Sequence, residues 1–568
     1  MLTVPAFPLM ADGTLPPLPF LLRWLSNKAR QGVISVRLDR LPPGNGSLPD
    51  LLTDAGMVAI QLDRNPVGKP FRWEGWSGGR ITVNASAISA QAVSTHAASA
   101  SAFSALDEAP PEVALPLHHG ELPWSARDGA VDPVLTGLID LARLEDASAA
   151  TNAGEPGQGA AWDHLLTIFS PDSTLQPPRI PPLAGHAAAL SEGRMGAWNP
   201  LALARRCVVA LPAPSGTPPW GLVDQRGARY PVQVVEGPIG RELLTSVTLG
   251  ALEAVTFETH NDPVAGSHWE VSRLVIDNGH VRAELDPLGQ VVRLCCDGRF
   301  VDWSGPALQV MVDDVPLAGP TTTTVLEDGP IRGRIAVTRV STRGTLHLTY
   351  TVHAHEAVLR VSATWDGDGE LRLECPTVVR AAALHVGAEL GSWSIPQHAD
   401  LTHECASPIV GLRWAQLADH DRRGLAVIGL RPLTVSACAG RLSLHVDRIA
   451  SLALCESALP AQACSIGQLA MSLATPARAA ATVIPATLRL VGDHSIPWWI
   501  SRPDGWLGEI IIGHQHEKRS RCTLFILAGK EAYRVRVDGR LNPLRRTAEN
   551  DGFEIDLAAK ECAVIRWR

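Results

Sequence analysis

The sequence predicts a multidomain protein with an α/β part, a helical part and a long all-β part, and three patterns carry this prediction. A strand, a helix and a second strand follow one another near the start, which is typical of a parallel α/β sheet. Two later segments repeat apolar residues at the spacing of helices. From about residue 196 the apolar period changes to two and turn signals recur, with almost no helical pattern, which predicts a large antiparallel sandwich.

These patterns divide the chain of 568 residues into four predicted domains. Residues 1–118 form a partial α/β domain, 119–195 a short helical bundle, 196–490 the large β-sandwich and 491–568 a small C-terminal β-domain.

The α/β part begins with a predicted helix over 19–32, in which Gly32 can adopt the left-handed conformation that ends a helix. A buried strand over 33–38, a short helix from Leu48 to a close at Gly56, and a strand over 57–62 follow. We expect at most three strands here, fewer than an independent catalytic domain would need.

Asp39 and Asp63 directly follow the two predicted parallel strands. Sites of open α/β sheets lie beyond the carboxyl ends of the strands, so either aspartate is a candidate for chemistry. The alternative is an ordinary loop acid or a helix cap in solvent, and the pattern alone favours neither.

Two helices are predicted between the α/β part and the β-region. Asp132 can cap the first, and Pro133 suits its first turn. Their apolar faces consist of Leu135, Leu138, Ile139 and Ala142 in the first helix, and Trp162, Leu165, Leu166 and Phe169 in the second.

The β-region is predicted from alternation, of which "TLHLTYTVHA" is a clear case. Leu346, Leu348, Tyr350 and Val352 should face one side of a strand, and Thr345, His347, Thr349 and Thr351 the other.

Composition excludes several classes of partner. The net charge of −8 is spread without basic runs, which argues against nucleic acid and against anionic membranes. No apolar run is long enough for a transmembrane helix, and the start lacks the pattern of a signal peptide, so we expect a cytoplasmic protein.

Cysteine and tryptophan usage adds two expectations. None of the ten cysteines forms a C-x-x-C pair, so we expect buried reduced thiols and no structural zinc site. The 16 tryptophans can stack on sugar rings, but for any single one a place in the core is the stronger expectation.

Nine short segments occur in order along nearly the whole chain: "LPDLLTDAGMVAIQLDRN", "FRWEGWSGGRITV", "GEL" at 120–122, "AWDHLLTIFSPDS", "WNPLALARRCVVAL", "LVIDNGHVRAELDPLGQVVRL", "VLEDGPIRGRI", "WAQLADHDRRGLAVIGL" and "RLSLHVDR". Each segment is a weak signal alone. Together, their order resembles glycoside hydrolase family 38, a family of α-mannosidases.

The resemblance implies a retaining exo-α-mannosidase with a catalytic zinc, and a galactose-mutarotase-like sandwich in the β-region. It implies that a His-x-Asp pair on the first strand, a nucleophilic Asp and the His of a Phe-His-Asp motif hold the zinc. Asp39 matches the nucleophile, which makes 1–118 the remnant of the family's catalytic domain.

The other functional positions depart from the family. Ser170 stands at the position of the histidine ligand, Ser77 replaces the Asp of a Trp-x-Gly-x-Asp-Gly turn, and Leu41, Pro42 and Pro43 alter the loop after Asp39. We expect the His-x-Asp strand to lie upstream of residue 1. "HAD" at 398–400 and "HVD" at 445–447 fall in the β-region and are chance matches.

These departures decide the predicted chemistry. One carboxylate cannot hold zinc, which takes about three or four protein ligands, so no metal site or other cofactor is predicted. Retaining hydrolysis needs a second carboxyl roughly 5–5.5 Å from the nucleophile. Glu74 and Asp63 are near Asp39 in sequence, but the resemblance nominates neither.

Three functions stay open at this point. The leading prediction is a catalytically degenerate family 38-like protein that binds a carbohydrate, such as a mannose-containing glycan, or a protein partner. The alternative is an active α-mannosidase that a missing N-terminal segment or a partner chain completes. A third is a different, metal-free enzyme that uses Asp39 with another acid. A partner chain or a homo-oligomer is expected as a possible assembly.

Overall fold

The fold was analysed in a computed structural model, which describes residues 18–38, 48–62, 71–74, 80–85, 194–213, 221–237, 240–260, 264, 269–297, 299–300, 307–376, 383–388, 391–396, 409–418, 424–438, 441–446, 448–456, 463–479, 488–492, 495–501, 505–514, 519–526, 529–537, 539–548, 551–558 and 561–568. The predicted helical bundle at 119–195 lies outside these residues up to the start of the first strand of the β-region.

The N-terminal part forms a four-stranded sheet with two helices. The elements are α1 (Leu18–Arg30), β1 (Ser35–Leu38), α2 (Leu48–Asp54), β2 (Ala59–Leu62), β3 (Phe71–Glu74) and β4 (Arg80–Ala85). The strand order is β1-β2-β4-β3, with β1, β2 and β4 parallel and β3 antiparallel to β4.

The βαβ prediction is therefore confirmed, and so is the left-handed Gly32, whose φ is 71°. The expected maximum of three strands is wrong. The segment around Trp73 folds back as a hairpin onto β4 and adds a fourth strand, a pairing that single-segment patterns do not reveal.

The β-region opens with two small antiparallel sheets. Its strands are β5 (Arg194–Trp198), β6 (Arg205–Pro212), β7 (Gly221–Asp224), β8 (Arg229–Pro231), β9 (Gln233–Gly237), β10 (Gly240–Leu249) and β11 (Ala254–His260). The orders are β6-β10-β9 in one sheet and β5-β11-β7-β8 in the other, and their apolar faces share a core around Phe257 and Val247.

A five-stranded sheet follows, with β12 (Glu270–Val271), β13 (Val275–Asp277), β14 (Val281–Leu285), β15 (Val291–Cys296) and β16 (Arg299–Phe300) in that order. It packs on a 13-stranded sheet made of β17 (Gln309–Val312), β18 (Val315–Pro316), β19 (Thr321–Asp328), β20 (Arg332–Ser341), β21 (Gly344–His353), β22 (Leu359–Gly367), β23 (Leu371–Pro376), β24 (Ala383–Ala388), β25 (Gly391–Pro396), β26 (Ile409–Ala418), β27 (Gly424–Cys438), β28 (Arg441–Val446) and β29 (Ile449–Glu456). One continuous apolar core joins the two sheets.

Strand β21 shows why this sandwich forms. Leu346, Leu348, Tyr350 and Val352 are each at most 1% exposed and lie in the core, as the alternation predicted. Burying four such side chains on one face stabilises the sheet by roughly 1.5–3 kcal/mol each before entropy is counted.

A helix that the alternation did not predict, α3 (Ala463–Ala474), interrupts the strands and is followed by β30 (Arg478–Ala479), which pairs with β5. Ile466, Ala470 and Leu473 of α3 cover the outer face of the large sheet beside Trp414 and Ile428.

The last strands are β31 (Leu488–Val491), β32 (Ser495–Ser501), β33 (Gly508–His514), β34 (Ser520–Ile526), β35 (Ala532–Val535), β36 (Leu541–Pro543), β37 (Arg545–Arg546), β38 (Gly552–Leu557) and β39 (Cys562–Trp567). They form the sheets β31-β34-β38-β37 and β32-β33-β39-β35-β36. Their core also takes in Trp198, Leu252 and Ala254 from the start of the β-region. The structure thus has several antiparallel sheets in a β-rich architecture, while the domain boundaries at 118, 195 and 490 stay predictions.

Candidate functional site

The carboxyl edge of the parallel sheet is the first candidate site. Leu38 and Leu62, the last residues of β1 and β2, are register partners, so the two strands end level with each other. Asp39 and Asp63 are the next residues in the sequence, and both lie outside the described residues. The structure therefore places the two strand ends but not the two carboxyl groups.

Glu74 lies at the opposite end of the strands of the same sheet from Leu38 and Leu62. It pairs with Arg80, the first residue of β4, whereas the level of Leu38 and Leu62 corresponds to Ala85 at the other end of that strand. Five residues of strand span roughly 16 Å. Glu74 is thus too far along the sheet to approach the strand end that precedes Asp39, and of the two neighbouring acids only Asp63 follows an adjacent strand end.

Contacts with the C-terminal strands hold α2 in place. The Asp54 carboxylate forms an ion pair of 2.7 Å with Nη2 of Arg536, and its other oxygen accepts a hydrogen bond of 3.2 Å from the backbone amide of Val537. Thr53 donates a hydrogen bond to the carbonyl of Arg80. The loop that carries Asp39 therefore leads into a helix anchored to both its own sheet and the C-terminal strands.

The described residues contain no group of three or more His, Cys, Asp or Glu side chains close enough to hold a metal ion. Ser170 and Asp39 lie outside those residues, so this observation does not test the predicted zinc positions. His445 of the "HVD" match lies in β28, within the large antiparallel sheet, and "HAD" at 398–400 lies outside the described residues.

Several β-region segments that resemble family 38 lie within the described residues. The first of them, "WNPLALARR", forms hydrogen bonds that stabilise the fold. Asn199 is fully buried and uses its whole amide group. Its partners are Leu201 N, Arg205 Nε, and the carbonyl oxygens of Leu203 and Gly250, at 2.7–3.2 Å. Arg205 in turn donates to the carbonyls of Ser472 and Thr475 at the end of α3.

The "DNGHVRAELDPLG" segment also forms hydrogen bonds that stabilise the sandwich. Asn278, 1% exposed, donates to the carbonyls of His353 and Glu356 at 2.5 and 2.8 Å. The hydroxyl of buried Tyr350 donates to the carbonyl of Gly289, whose φ of 70° suits glycine. These residues join the two sheets.

The turn that Asn278 holds contains a buried ion pair. Glu356 lies 2.7 Å from Nη2 of Arg360, and both side chains are less than one fifth exposed. Burial alone would raise the pKa of Glu356, but Arg360 and His353 outweigh it and lower the pKa to about 2. Burial and the Arg360 charge lower the pKa of His353, so its imidazole is neutral near pH 7.

The "VLEDGPIRGRI" segment closes the sandwich against a tryptophan. A Cβ at Gly329 or Gly333 would lie 2.8 or 3.0 Å from the ring of Trp269, so only glycine fits at this approach. Asn199, Asn278, Gly329 and Gly333 of these segments thus serve the fold.

Two kinds of environment are found among the described tryptophans. Trp198, Trp365, Trp414 and Trp567 are 1–9% exposed and lie in the cores, as expected for most of them. Trp506 instead belongs to a half-exposed aromatic cluster with Tyr533 and Arg568 on the C-terminal sheet. The two ring centroids are 5.7 Å apart at 77°, and the Arg568 guanidinium lies 5.7 Å from the Trp506 ring and 5.2 Å from the Tyr533 ring.

Glu531 completes this aromatic cluster. Its carboxylate accepts hydrogen bonds of 2.7 Å from the Tyr533 hydroxyl and 3.1 Å from Nε of Arg568. These two hydrogen bonds lower the pKa of Glu531. An edge-to-face aromatic pair, a guanidinium and a carboxylate are therefore presented together at the surface of the C-terminal strands.

Sequence reasoning missed a further arrangement on the outer face of the large sheet. Oγ of Ser436 lies 3.0 Å from Nε2 of His445, whose Nδ1 lies 2.8 Å from Oε1 of Glu370. The three residues belong to β27, β28 and the turn before β23, and no spacing in the sequence signals that these strands are neighbours.

The seven described cysteines are free thiols, and five of them are buried, which confirms the expectation for these positions. None of the helices among the described residues has the length and apolar character that a membrane span requires.

Comparison with known proteins agrees with this architecture. No protein-family model matches the sequence, and no curated protein matches it. The structure is similar to that of an α-mannosidase from Enterococcus faecalis V583, with a TM-score of 0.71 and 12% identity over 99% of this chain and 91% of the other. It is also similar to a protein of glycosyl hydrolase family 38 from Enterococcus faecalis, with a TM-score of 0.66 and 12% identity over 100% of this chain and 90% of the other. The predicted resemblance is confirmed for the fold: over nearly its whole length the chain folds like these family 38 α-mannosidase structures.

Proposed function

We propose that this protein is an α-mannosidase-like carbohydrate-binding protein whose own catalytic set is incomplete. The observation that carries the proposal is the likeness to an α-mannosidase structure over 99% of the chain, beside a serine at the position where the resemblance implies a zinc ligand. A retained fold with an altered ligand set favours binding over turnover.

The zinc chemistry of the family does not fit this chain. Of the ligands that the resemblance implies, only Asp39 is matched, and the neutral hydroxyl of Ser170 is a poor substitute for an imidazole. Glu74 pairs at the far edge of the sheet, so it cannot act as the second carboxyl. No hydrolytic step is therefore assigned to a metal.

The aromatic cluster of Trp506, Tyr533, Arg568 and Glu531 is the proposed carbohydrate contact. Aromatic rings pack against the C–H faces of sugar rings, while guanidinium and carboxylate groups hydrogen-bond to neighbouring hydroxyls. A ligand of α-linked mannose would present both kinds of surface. Glu531 accepts one hydrogen bond from Tyr533 and one from Arg568, and these bonds hold the two side chains in place in the free protein. Because the side chains are already ordered, binding a sugar costs less conformational entropy.

Titration of the full chain with short α-mannosides, followed by calorimetry or NMR, tests this proposal. Trp506→Ala should weaken binding by about tenfold or more, as expected for an aromatic hot spot. Phe525→Leu is the matched control, because Phe525 lies on the same domain under another arginine, Arg489, at 5.2 Å. If the wild-type chain binds no α-mannoside, or if both variants bind alike, the proposal is wrong.

The alternative is an active α-mannosidase completed by a missing N-terminal segment or a partner chain, and one observation favours it. β1 and β2 end level, and neighbouring strands lie about 4.7–4.9 Å apart, close to the spacing that a retaining carboxyl pair needs. Asp39 and Asp63 would supply that pair. Zinc content and turnover of an aryl α-mannoside, measured with added zinc, separate the two functions. Activity or stoichiometric zinc that is lost in Asp39→Asn, with folding unchanged, would establish the alternative.

A further inference from the structure

The outer face of the large sheet carries a second set of groups that neither the fold nor the proposed carbohydrate contact uses. In β28, His445 pairs with Arg372 of β23 on one side and with Thr434 of β27 on the other. Their neighbours in each strand, Leu444 and Val435, are buried in the core. Alternation therefore places His445 and Ser436 on the outward face.

The order of hydrogen bonds across this face is specific. Glu370 faces Nδ1 of His445 at 2.8 Å, and Ser436 faces Nε2 at 3.0 Å. An ionised carboxylate only accepts, so in the neutral imidazole Nδ1 carries the proton and Nε2 is the acceptor. The hydroxyl of Ser436 is then the donor to Nε2, which is the polarity that a general base needs to activate a nucleophile.

The surroundings keep this polarity fixed. Burial alone would raise the pKa of Glu370, but hydrogen bonds from His445 and Arg372 outweigh it and lower that pKa. The His445 side chain is 11% exposed, which restricts rotation of the ring, whereas Glu370 is 46% exposed. The carboxylate thus orients the imidazole, and the imidazole holds the serine hydroxyl.

A second hydroxyl–imidazole pair on the same face shows what is special here. Thr338 meets His347 through Nδ1 at 3.2 Å, and among the described residues no carboxylate bonds to that ring. The pair therefore lacks the group that would fix its tautomer. Only the set around His445 has all three members in order.

We propose that Ser436, His445 and Glu370 act as a hydrolytic triad toward carboxylic esters with a small acyl group. Oγ of Ser436 attacks the ester carbonyl while its proton passes to Nε2 of His445. The C–O bond to the alcohol then breaks, and His445 returns the proton to the leaving oxygen. Water, deprotonated by His445, attacks the acyl-serine, releases the carboxylic acid and restores the hydroxyl. Ser436 and His445 are the catalytic residues, and Glu370 positions the base.

The sheet sets the substrate range of this triad. β27 pairs with β28 through Ser436 and with β26 at Val435, so the backbone amides of this stretch belong to the sheet and do not form an oxyanion hole. Loss of one such donor lowers turnover by roughly 10²–10³ in other hydrolases. Activated acyl donors should therefore react readily and unactivated esters slowly.

Labelling of the full chain with a fluorophosphonate, together with the acylation burst on p-nitrophenyl acetate, tests the proposal. Labelling should occur on Ser436 and disappear in Ser436→Ala. Ser443→Ala is the matched control, because Ser443 is the register partner of Ser436 and half-exposed on the same face, yet has no role in the triad. It should be labelled like the wild type, and so should Thr338→Ala.

His445→Gln should slow labelling by about 10²-fold or more, with an unchanged melting temperature showing that the sheet is intact. Glu370→Gln should change the pH dependence of the labelling rate, and Glu370→Asp should restore it in part, which a merely structural hydrogen bond would not do. An unlabelled wild-type chain, or label retained in Ser436→Ala, would overturn the proposal whether or not the protein binds α-mannosides.

Discussion

The parallel N-terminal sheet and the large antiparallel sandwich differ in where the polar residues of interest lie. In the sandwich, Asn199, Asn278 and Tyr350 are buried, and most of their hydrogen bonds are to backbone groups. In the parallel sheet, the acids of interest follow the strand ends at Leu38 and Leu62. The contrast teaches that likeness in the β-region measures the fold, whereas the proposed alternative of mannosidase activity rests on the residues that follow β1 and β2.

The largest effect on stability is expected at the Glu356–Arg360 ion pair of the sandwich. Glu356→Gln should lower the free energy of unfolding by about 3 kcal/mol, because it leaves the Arg360 charge buried without a partner. Glu236→Gln is the control, since the Glu236–Arg241 pair is more than 60% exposed on both sides, and it should change stability by less than about 0.5 kcal/mol. Equal effects in chemical denaturation would remove the distinction between the two kinds of pair.

The same pair predicts how stability changes in acid. The pKa of Glu356 is lower in the folded protein than its ordinary value of 4.5, so its contribution is complete above that pH and is lost as the pH falls toward about 2. His353, whose pKa is also lowered, costs stability once the pH falls below its ordinary 6.5. Melting temperatures of the wild type should drop with acid in both ranges, and those of Glu356→Gln should be flatter between pH 4.5 and 2.

Tyr350→Phe should have the next largest effect. The change removes the hydroxyl that bonds to the Gly289 carbonyl at 2.9 Å and leaves that carbonyl buried, at a cost of about 1–1.5 kcal/mol. Tyr533→Phe removes a hydroxyl bond of 2.7 Å at the surface and should cost less than about 0.5 kcal/mol. Thermal or chemical unfolding of the two variants measures the difference between a structural and an exposed hydroxyl.

Patterns of the sequence predicted the elements well but their partners poorly. The alternation around Tyr350 placed a strand and its buried face correctly, since period-two burial is a local property. The fourth strand of the N-terminal sheet, α3 and the set around His445 were missed. The fourth strand is added by a hairpin onto β4, and α3 packs against the large sheet. The set around His445 depends on strand pairing between segments far apart in the chain. Asp39 was found from its place after a strand, but a strand end does not determine how a side chain is aimed.

A smaller effect is expected where the N-terminal part touches the C-terminal strands. Asp54→Asn removes a half-exposed ion pair with Arg536 and should lower stability by about 0.5 kcal/mol. The difference from the wild type should shrink in 1 M salt, because screening weakens exposed pairs. A salt-independent loss of several kcal/mol would mean that the N-terminal sheet depends on this contact as the sandwich depends on Glu356.

The smallest effect is predicted at Asp39. If the catalytic set is incomplete as proposed, Asp39→Asn should change the free energy of unfolding by no more than about 0.5 kcal/mol and leave any glycan binding intact. If the wild type hydrolyses an aryl α-mannoside and Asp39→Asn does not, this prediction is wrong and Asp39 takes part in catalysis.

The core that joins Trp198 and Leu252 with the last strands has a consequence for synthesis on the ribosome. Leu252 leaves the ribosome roughly 230 residues before Leu488, which corresponds to about 10–50 seconds at ordinary translation rates. During that interval the apolar patch of Trp198, Leu252 and Ala254 has no cover from the strands that will bury it. The nascent chain should therefore need a chaperone to protect this face, and a premature stop before 488 should yield an aggregating fragment rather than a smaller folded protein.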